Sequence, residues 1–241
     1  GGLAEAMMPA HAAYEQQSGD KIVYTGAFAA ALGKSLLTGG GQTEVFAGRV
    51  LALAQNLRKS GKMVNFRPLC FTSYVIAVPK GNPAKIAGIE DLTRPGVRVA
   101  MAQDASAPGG QAVMGILKAA DITAKVLANV REQGSCVQRS VADVTERKAD
   151  AMIVERRITR MARSADNLEY VEIPEQLFPA GPLTFTVGMM ANAADPARAT
   201  AYMDWITSAQ GQAYFEAAGF IPAISPKGME LVEKLGVKDV A

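Results

Sequence analysis

Residues 70–83, CFTSYVIAVPKGNP, decide how this chain is organised. Tyr74 to Val78 form an unbroken apolar, β-branched run suited to a buried strand, and Pro79, Gly81 and Pro83 end it sharply. A chain can leave one lobe at such a point. The matching return signal is LTFTVGMM, residues 183–190, a second β-rich run. Two crossings imply two lobes: residues 1–78 with 191–241 as one, 83–183 as the other, and 75–82 with 183–190 as a hinge beside a cleft.

Outward from that run, helix and strand patterns alternate. LAEAMMPAHAAYEQQSG (3–19) has helical spacing and stops at Gly19, and KIVYTG (21–26) reads as a short strand. AFAAALGKSLLTGGG (27–41) is helical up to its glycines, TEVFAG (43–48) is strand-like, and VLALAQNLRKSG (50–61) is helical again. On the other side, IAGIEDLTRPGVRVAM (86–101) reads as a short helix at 89–92, a turn at Pro95 and Gly96, and a strand at 97–101. GGQAVMGILKAA (109–120) opens a helix, KVLANV (125–130) suggests a strand, CVQRSVADVTERKAD (136–150) a helix and AMIVE (151–155) a strand. Behind the return signal, Asp195 caps a helix with Pro196 at its first position, and PKGMELVEKLG (226–236) is a last helix. The order predicts an α/β fold in two lobes, each a parallel sheet wrapped by helices.

Composition narrows the function classes. With 241 residues, 49% hydrophobic and 20% charged, the chain can bury a sizeable core and is not an extended disordered protein. A net charge of +2 gives no reason to expect nucleic acid, and the densest basic group, ERRITRMAR (155–163), reads as a solvated helix face. No window approaches 18 uninterrupted apolar residues, so no segment spans a membrane. The sequence opens at GGLAEAMM without a signal peptide, as a processed chain would, so the missing signal does not argue for the cytoplasm. Cys70 and Cys136 lack CxxC spacing and indicate neither a zinc site nor a disulfide scaffold; one disulfide between them stays open in an oxidising compartment. His11 reads as a surface position and the eleven methionines as core filling. No cofactor is expected.

Several residues could carry recognition. Gly109 and Gly110 would expose backbone N–H groups at a helix start, where an anion binds without side chains in the way, and Ser106 and Gln111 flank them. Arg49, after TEVFA, and Arg139, beside SCVQ, fall where they would point toward the cleft and could grip a carboxylate or oxyanion with two parallel bonds. Cys136 stands at a helix mouth, where the macrodipole favours a thiolate; the alternative is a small buried thiol.

VIAVPKGNPAKIAGIEDLTRPGVRVAM (75–101), ERKADAMIV (146–154) and YMDWITSAQGQAYFEAAGF (202–220) resemble periplasmic solute-binding proteins of ABC importers, in particular the molybdate- and tungstate-binding branch. The likeness runs nearly the whole chain in order. It implies two α/β lobes that close on a ligand, a monomer, and delivery of the ligand to a membrane permease from the periplasm. Carried over position by position, that branch's pocket falls at Gly2, at Ala27 or Phe28, and at Gly109, Val137 and Glu155. The branch's two serines and its tyrosine are absent here, so only backbone amide positions survive.

Electrostatics then sharpens the expectation. A carboxylate about 4 Å from a unit negative charge costs about 4 kcal/mol at an effective dielectric near 20, and a dianion about twice that. Micromolar binding is worth only about 8 kcal/mol. Glu155 must therefore be neutralised, by Arg49, Arg139 or Arg156, or point away, or meet a hydroxyl, amine or metal on the ligand. The resulting expectation is an extracytoplasmic receptor for a small anion, an oxyanion or a small carboxylate, without chemistry of its own. Two alternatives remain: a thiophilic metal-cation receptor using Glu155, Cys136 and Cys70, and a cleft enzyme using Cys136 or Glu155.

Overall fold

The structure, a computed structural model, describes residues 2–27, 29–102, 109–134, 136–178 and 184–239. In chain order its elements are α1 (Ala4–Ser18), α2 (Ala29–Thr38), β1 (Val45–Arg49), α3 (Leu51–Lys59), β2 (Met63–Phe71), β3 (Tyr74–Pro79), β4 (Val99–Met101), α4 (Gly109–Ala119), α5 (Thr123–Asn129) and β5 (Val130–Gln133). There follow α6 (Val137–Thr145), β6 (Met152–Glu155), β7 (Leu168–Glu172), β8 (Thr184–Met190), α7 (Pro196–Ile206), α8 (Ala209–Ala217), β9 (Ile221–Pro222) and α9 (Pro226–Leu235). The chain divides into two compact units, Gly1–Phe71 with Leu183–Ala241, and Thr72–Pro182.

Unit 1 is built on one sheet of order β1-β8-β2-β9 with every pair antiparallel. β1 and β2 run the same way, as a strand–helix–strand unit requires, but β8 lies between them and pairs with both. The parallel sheet expected here is thus replaced by an antiparallel one, because the late strand takes the hydrogen bonds that β1 and β2 would have exchanged. Ala6, Met7 and Ala10 of α1 pack with Leu69, Val187, Met203, Ile206 and Phe215 in this unit's main core. Each large side chain there contributes about 1.5–3 kcal/mol on burial. The helix stops read from sequence are in place: Gly19 is left-handed at φ 77°, and the Asp195 side chain accepts from the Arg198 N–H with Pro196 at the first position.

KIVYTG is not a strand: no β-pairing forms in this segment, and Val23 is exposed. Its backbone finds side chains instead of a ladder. The Ile22 N–H donates to Glu15 Oε1 at 2.6 Å, and just ahead of the segment the Asp20 N–H donates to Ser18 Oγ at 3.1 Å. His11 is also not a surface residue. It is buried, its Nε2 lies 2.7 Å from the Tyr202 hydroxyl, and its ring packs edge-on to Tyr24, because α7 lays Tyr202 over this face of α1.

Unit 2 mixes directions. β4 and β5 are parallel, and a parallel bridge from Val99 to Ala151, with the Ala100 N–H donating to the Ala151 carbonyl at 2.9 Å, ties β4 to the start of β6. β6 and β7 flank β3 antiparallel. The whole of β3 pairs inside unit 2 and the whole of β8 inside unit 1, so the strands read as crossings at 75–82 and 183–190 each serve one sheet. KVLANV is helical up to Asn129. α5 buries Val126 and Asn129 on one face, and the Asn129 amide donates to the carbonyls of Leu92 and Arg94 at 2.8 and 2.9 Å. Val75, Ala77, Val141, Val144, Met152 and Val154 form the core. Within ERRITRMAR, Arg156–Arg160 form a tight 3₁₀ turn that buries Ile158 and Thr159, not a solvated helix face.

Candidate anion-binding edge

The directions of β4, β5 and β6 position the candidate residues of unit 2. Because the three strands are parallel, their carboxyl ends emerge at one edge, where an open α/β sheet places its ligands. β4 leads toward α4, which opens at Gly109 and Gly110. β5 leads through Gly134 and Cys136 into α6, which opens at Val137, and β6 ends at Glu155. Both helices therefore turn the positive end of a dipole toward the edge where Glu155 arrives, and in α6 the Gln138 and Arg139 N–H groups bond the Cys136 thiol.

A cavity of about 50 Å³ lies there, lined among others by Tyr74, Ala102, Val113, Val137, Glu155 and Arg157. Such a volume holds a few water-sized atoms, the scale of a carboxylate or a tetrahedral oxyanion. Val137 and Glu155, two of the positions carried over from the resemblance, thus share one cavity wall, and Val113 lines it one turn into α4. Gly110 is buried at the start of α4, while Ser106 and Phe28 fall outside the described residues.

Glu155 is 8% exposed, and Arg157 holds it: the guanidinium Nε donates to Oε2 at 2.7 Å. The Thr72 hydroxyl lies 3.5 Å from the same oxygen. Arg157, which the sequence reading did not name, is thus a charge partner of Glu155. Arg156 stacks on Tyr170, with its guanidinium carbon 5.5 Å from the ring centroid, and donates to the Tyr170 hydroxyl at 3.2 Å. Arg139 is exposed on α6, and Arg49 belongs to unit 1. The turn decides between the neighbours. The Arg156 N–H donates to the Ser73 carbonyl at 2.8 Å, which ends β6 and swings Arg157 back onto Glu155. With Arg157 in contact the pair is formally neutral, and the repulsion that a bare Glu155 would exert on an anion is largely offset. Sequence reasoning also missed Tyr74, the cross-strand partner of Glu155. Its signal lies in the register of β3 on β6, which is not local.

Cys136 precedes α6 and is exposed. Its thiol is shifted below the usual thiol range, chiefly by the N–H of Arg139 and then that of Gln138, against burial, with the Arg163 and Arg139 charges adding smaller pulls downward. Cys70 is the opposite case, fully buried on β2 with its thiol pushed well up by burial, against the pull of Arg49. Both cysteines are free, one in each unit, so the disulfide left open above is not formed. Among the described residues no three His, Cys, Asp or Glu side chains gather as a metal site.

Of the candidates in unit 1, Gly2 sits in the turn before α1 and Ala27 is exposed without regular structure. Arg49 ends β1 with its guanidinium carbon 5.3 Å from the centroid of Phe185. The next residue, Val50, holds φ 77° and ψ 106°, a costly conformation for a β-branched side chain, and its N–H donates to the Thr184 carbonyl at 3.1 Å. That bond fixes the turn that aims Arg49.

Comparison with known proteins follows the same lines. The family model described as bacterial extracellular solute-binding protein matches residues 1–221. A molybdate-binding protein of Mycobacterium tuberculosis is 30% identical over 191 residues, covering 76% of this chain and 67% of that protein. A substrate-binding domain assigned to a molybdenum ABC transporter of Clostridium difficile superposes with a TM-score of 0.77 at 19% identity, covering 92% of this chain and 95% of that one. PEB3 of Campylobacter jejuni, solved with L-phospholactate, gives 0.65 at 21% identity, covering 92% and 96%. These solved structures carry the fold of the two-lobed periplasmic binding proteins. Among the described residues no helix is long and apolar enough to cross a membrane.

Proposed function

The chain belongs to the bacterial extracellular solute-binding protein family, and from that membership we propose that it captures a small anion outside the cytoplasm and delivers it to an ABC permease. The observation that carries the reading is the convergence of two helix N-termini and the cavity at the carboxyl edge of β4, β5 and β6. Gly109, Gly110 and Val137 supply the backbone N–H groups. Arg157 keeps Glu155 from repelling the bound charge. Arg49, Gly2 and Ala27 are the ligand-binding positions assigned to unit 1, and Arg139 adds positive potential at the mouth of α6. The relatives' printed names agree with a small anion: molybdate for one and L-phospholactate for another. The protein binds and releases its solute unchanged, as a monomer.

Native mass spectrometry of the protein as purified, followed by calorimetric titration of the anion recovered, tests this. A retained small anion that rebinds with one-to-one stoichiometry supports it. A protein that carries no anion and binds none from a panel of oxyanions and small carboxylates would falsify it. Replacing Cys136 by serine separates binding from chemistry at the thiol, since a receptor keeps its affinity.

A further inference from the structure

Two exposed arginines meet at the opening of α6. Arg139 stands in the first turn of that helix. Arg163 arrives from the other side: Met161 packs with Val137 on the core of unit 2, and the turn closed by the Ser164 N–H on the Met161 carbonyl at 2.8 Å carries Arg163 out into solvent. Both guanidinium charges act on the Cys136 thiol, which lies between the two segments at the mouth of the helix.

Neither charge is neutralised. Arg94, Arg98 and Arg157 of the same unit are each held by a carboxylate, of Asp91, Asp150 and Glu155 respectively. Among the described residues Arg139 forms no ion pair, and Arg163 has only the sulfur of Met161, at 3.9 Å. Exposed and unpaired, the two side chains contribute little to the stability of the fold. Their charges instead add to the positive end of the α6 dipole, and the combined potential reaches outward over a Debye length of about 8 Å at physiological salt. Val137, on the cavity wall, belongs to the same first turn. An anion diffusing near this opening is therefore attracted before it makes any contact, and focusing of this kind raises association rates roughly ten- to a thousandfold.

We propose that Arg139 and Arg163 steer small anions to the opening of α6 and so set how fast the protein loads, acting on capture rather than on release. The role rests on the receptor reading above.

Cys136 serves as a built-in reporter of the local potential, because the other cysteine is buried. Its rate of reaction with dithiobis(nitrobenzoate), a dianion, is divided by its rate with the neutral dithiodipyridine, so that any change in thiolate fraction cancels. In Arg139→Gln/Arg163→Gln this ratio should fall at least about threefold at low ionic strength, and about 0.5 M sodium chloride should bring the wild type down to the same value. The salt series needs no variant and reads the same potential. Stopped-flow fluorescence with molybdate, phosphate and lactate as probes then reads loading itself. A probe that binds should associate at least about threefold more slowly with the double variant, with little change in its dissociation rate. A reagent ratio indifferent to salt and to the substitutions, or an association rate that does not fall, overturns the proposal, while a bound probe leaves the receptor reading standing. If none of the probes binds, the receptor reading fails and the steering role fails with it.

Discussion

Unit 1 and unit 2 use the same vocabulary of short strands and helices, yet they spend their helix starts differently. In unit 1, β8 is inserted antiparallel between β1 and β2, so neighbouring strands end at opposite edges. Its last three helices are sealed by their own side chains: Asp195 accepts from the Arg198 N–H, Ser208 from that of Gly211 and Ser225 from that of Gly228. In unit 2, three parallel strands bring the starts of α4 and α6 and the carboxylate of Glu155 to one edge. A parallel core concentrates polar backbone ends where a ligand can use them, whereas an antiparallel core distributes them and satisfies them locally.

The largest expected effect tests whether that edge depends on its ion pair. Arg157→Gln removes the guanidinium that donates to a buried carboxylate and should cost about 3 kcal/mol in chemical denaturation, with the double change Glu155→Gln/Arg157→Gln recovering most of it. A single change costing nothing measurable would show that Glu155 does not need its partner. In unit 1 the corresponding weak point is packing rather than charge. A Cβ on Gly228 would stand 1.9 Å from the Pro222 carbonyl oxygen, a backbone atom that cannot swing away. Gly228→Ala should lower stability by about 2 kcal/mol while leaving anion affinity alone.

Gly109→Leu should do the reverse. Affinity measured by titration should fall at least tenfold, about 1.4 kcal/mol, with the melting temperature of the ligand-free protein nearly unchanged. Unaltered affinity removes α4 from the site. The smallest effect concerns His11, whose imidazole pKa is held below its ordinary value of 6.5 chiefly by burial, against a raising influence from Glu15. The unfolded chain takes up that proton more readily, so the stability His11 contributes is complete above pH 6.5 and is lost as the pH falls through 6.5 toward the lowered folded value. His11→Gln should therefore lose a degree or two less of melting temperature than wild type between pH 7 and pH 5, on the order expected of a small stability change. An equal loss in both would place the acid sensitivity elsewhere in the molecule.

Much of the candidate site is legible because it is local. Gly109–Gly110 ahead of an amphipathic run marks a helix start, and AMIVE marks a strand ending in a carboxylate, each within a few residues. Arg157 was not legible although it is two residues from Glu155. Whether Arg156 or Arg157 reaches back depends on the turn that the Ser73 carbonyl imposes from another strand. His11 has helical spacing on a face that looks polar until Tyr202 covers it. Val23 lies in a convincing strand pattern with no strand beside it, and Lys125–Asn129 has strand-like composition but a helical burial face.

The sequence by itself determined the α/β class, most helix starts and stops, and the buried run of β3, since period, caps and proline or glycine breaks act over a turn or two of backbone. Tertiary structure alone decided that β8 separates β1 from β2, that β3 and β8 each serve a single sheet, and that Arg157 rather than Arg156 neutralises Glu155. Those outcomes turn on which distant strand wins a free edge and in what register it pairs, and such competition between hydrogen-bonding partners far apart in the chain leaves no local pattern.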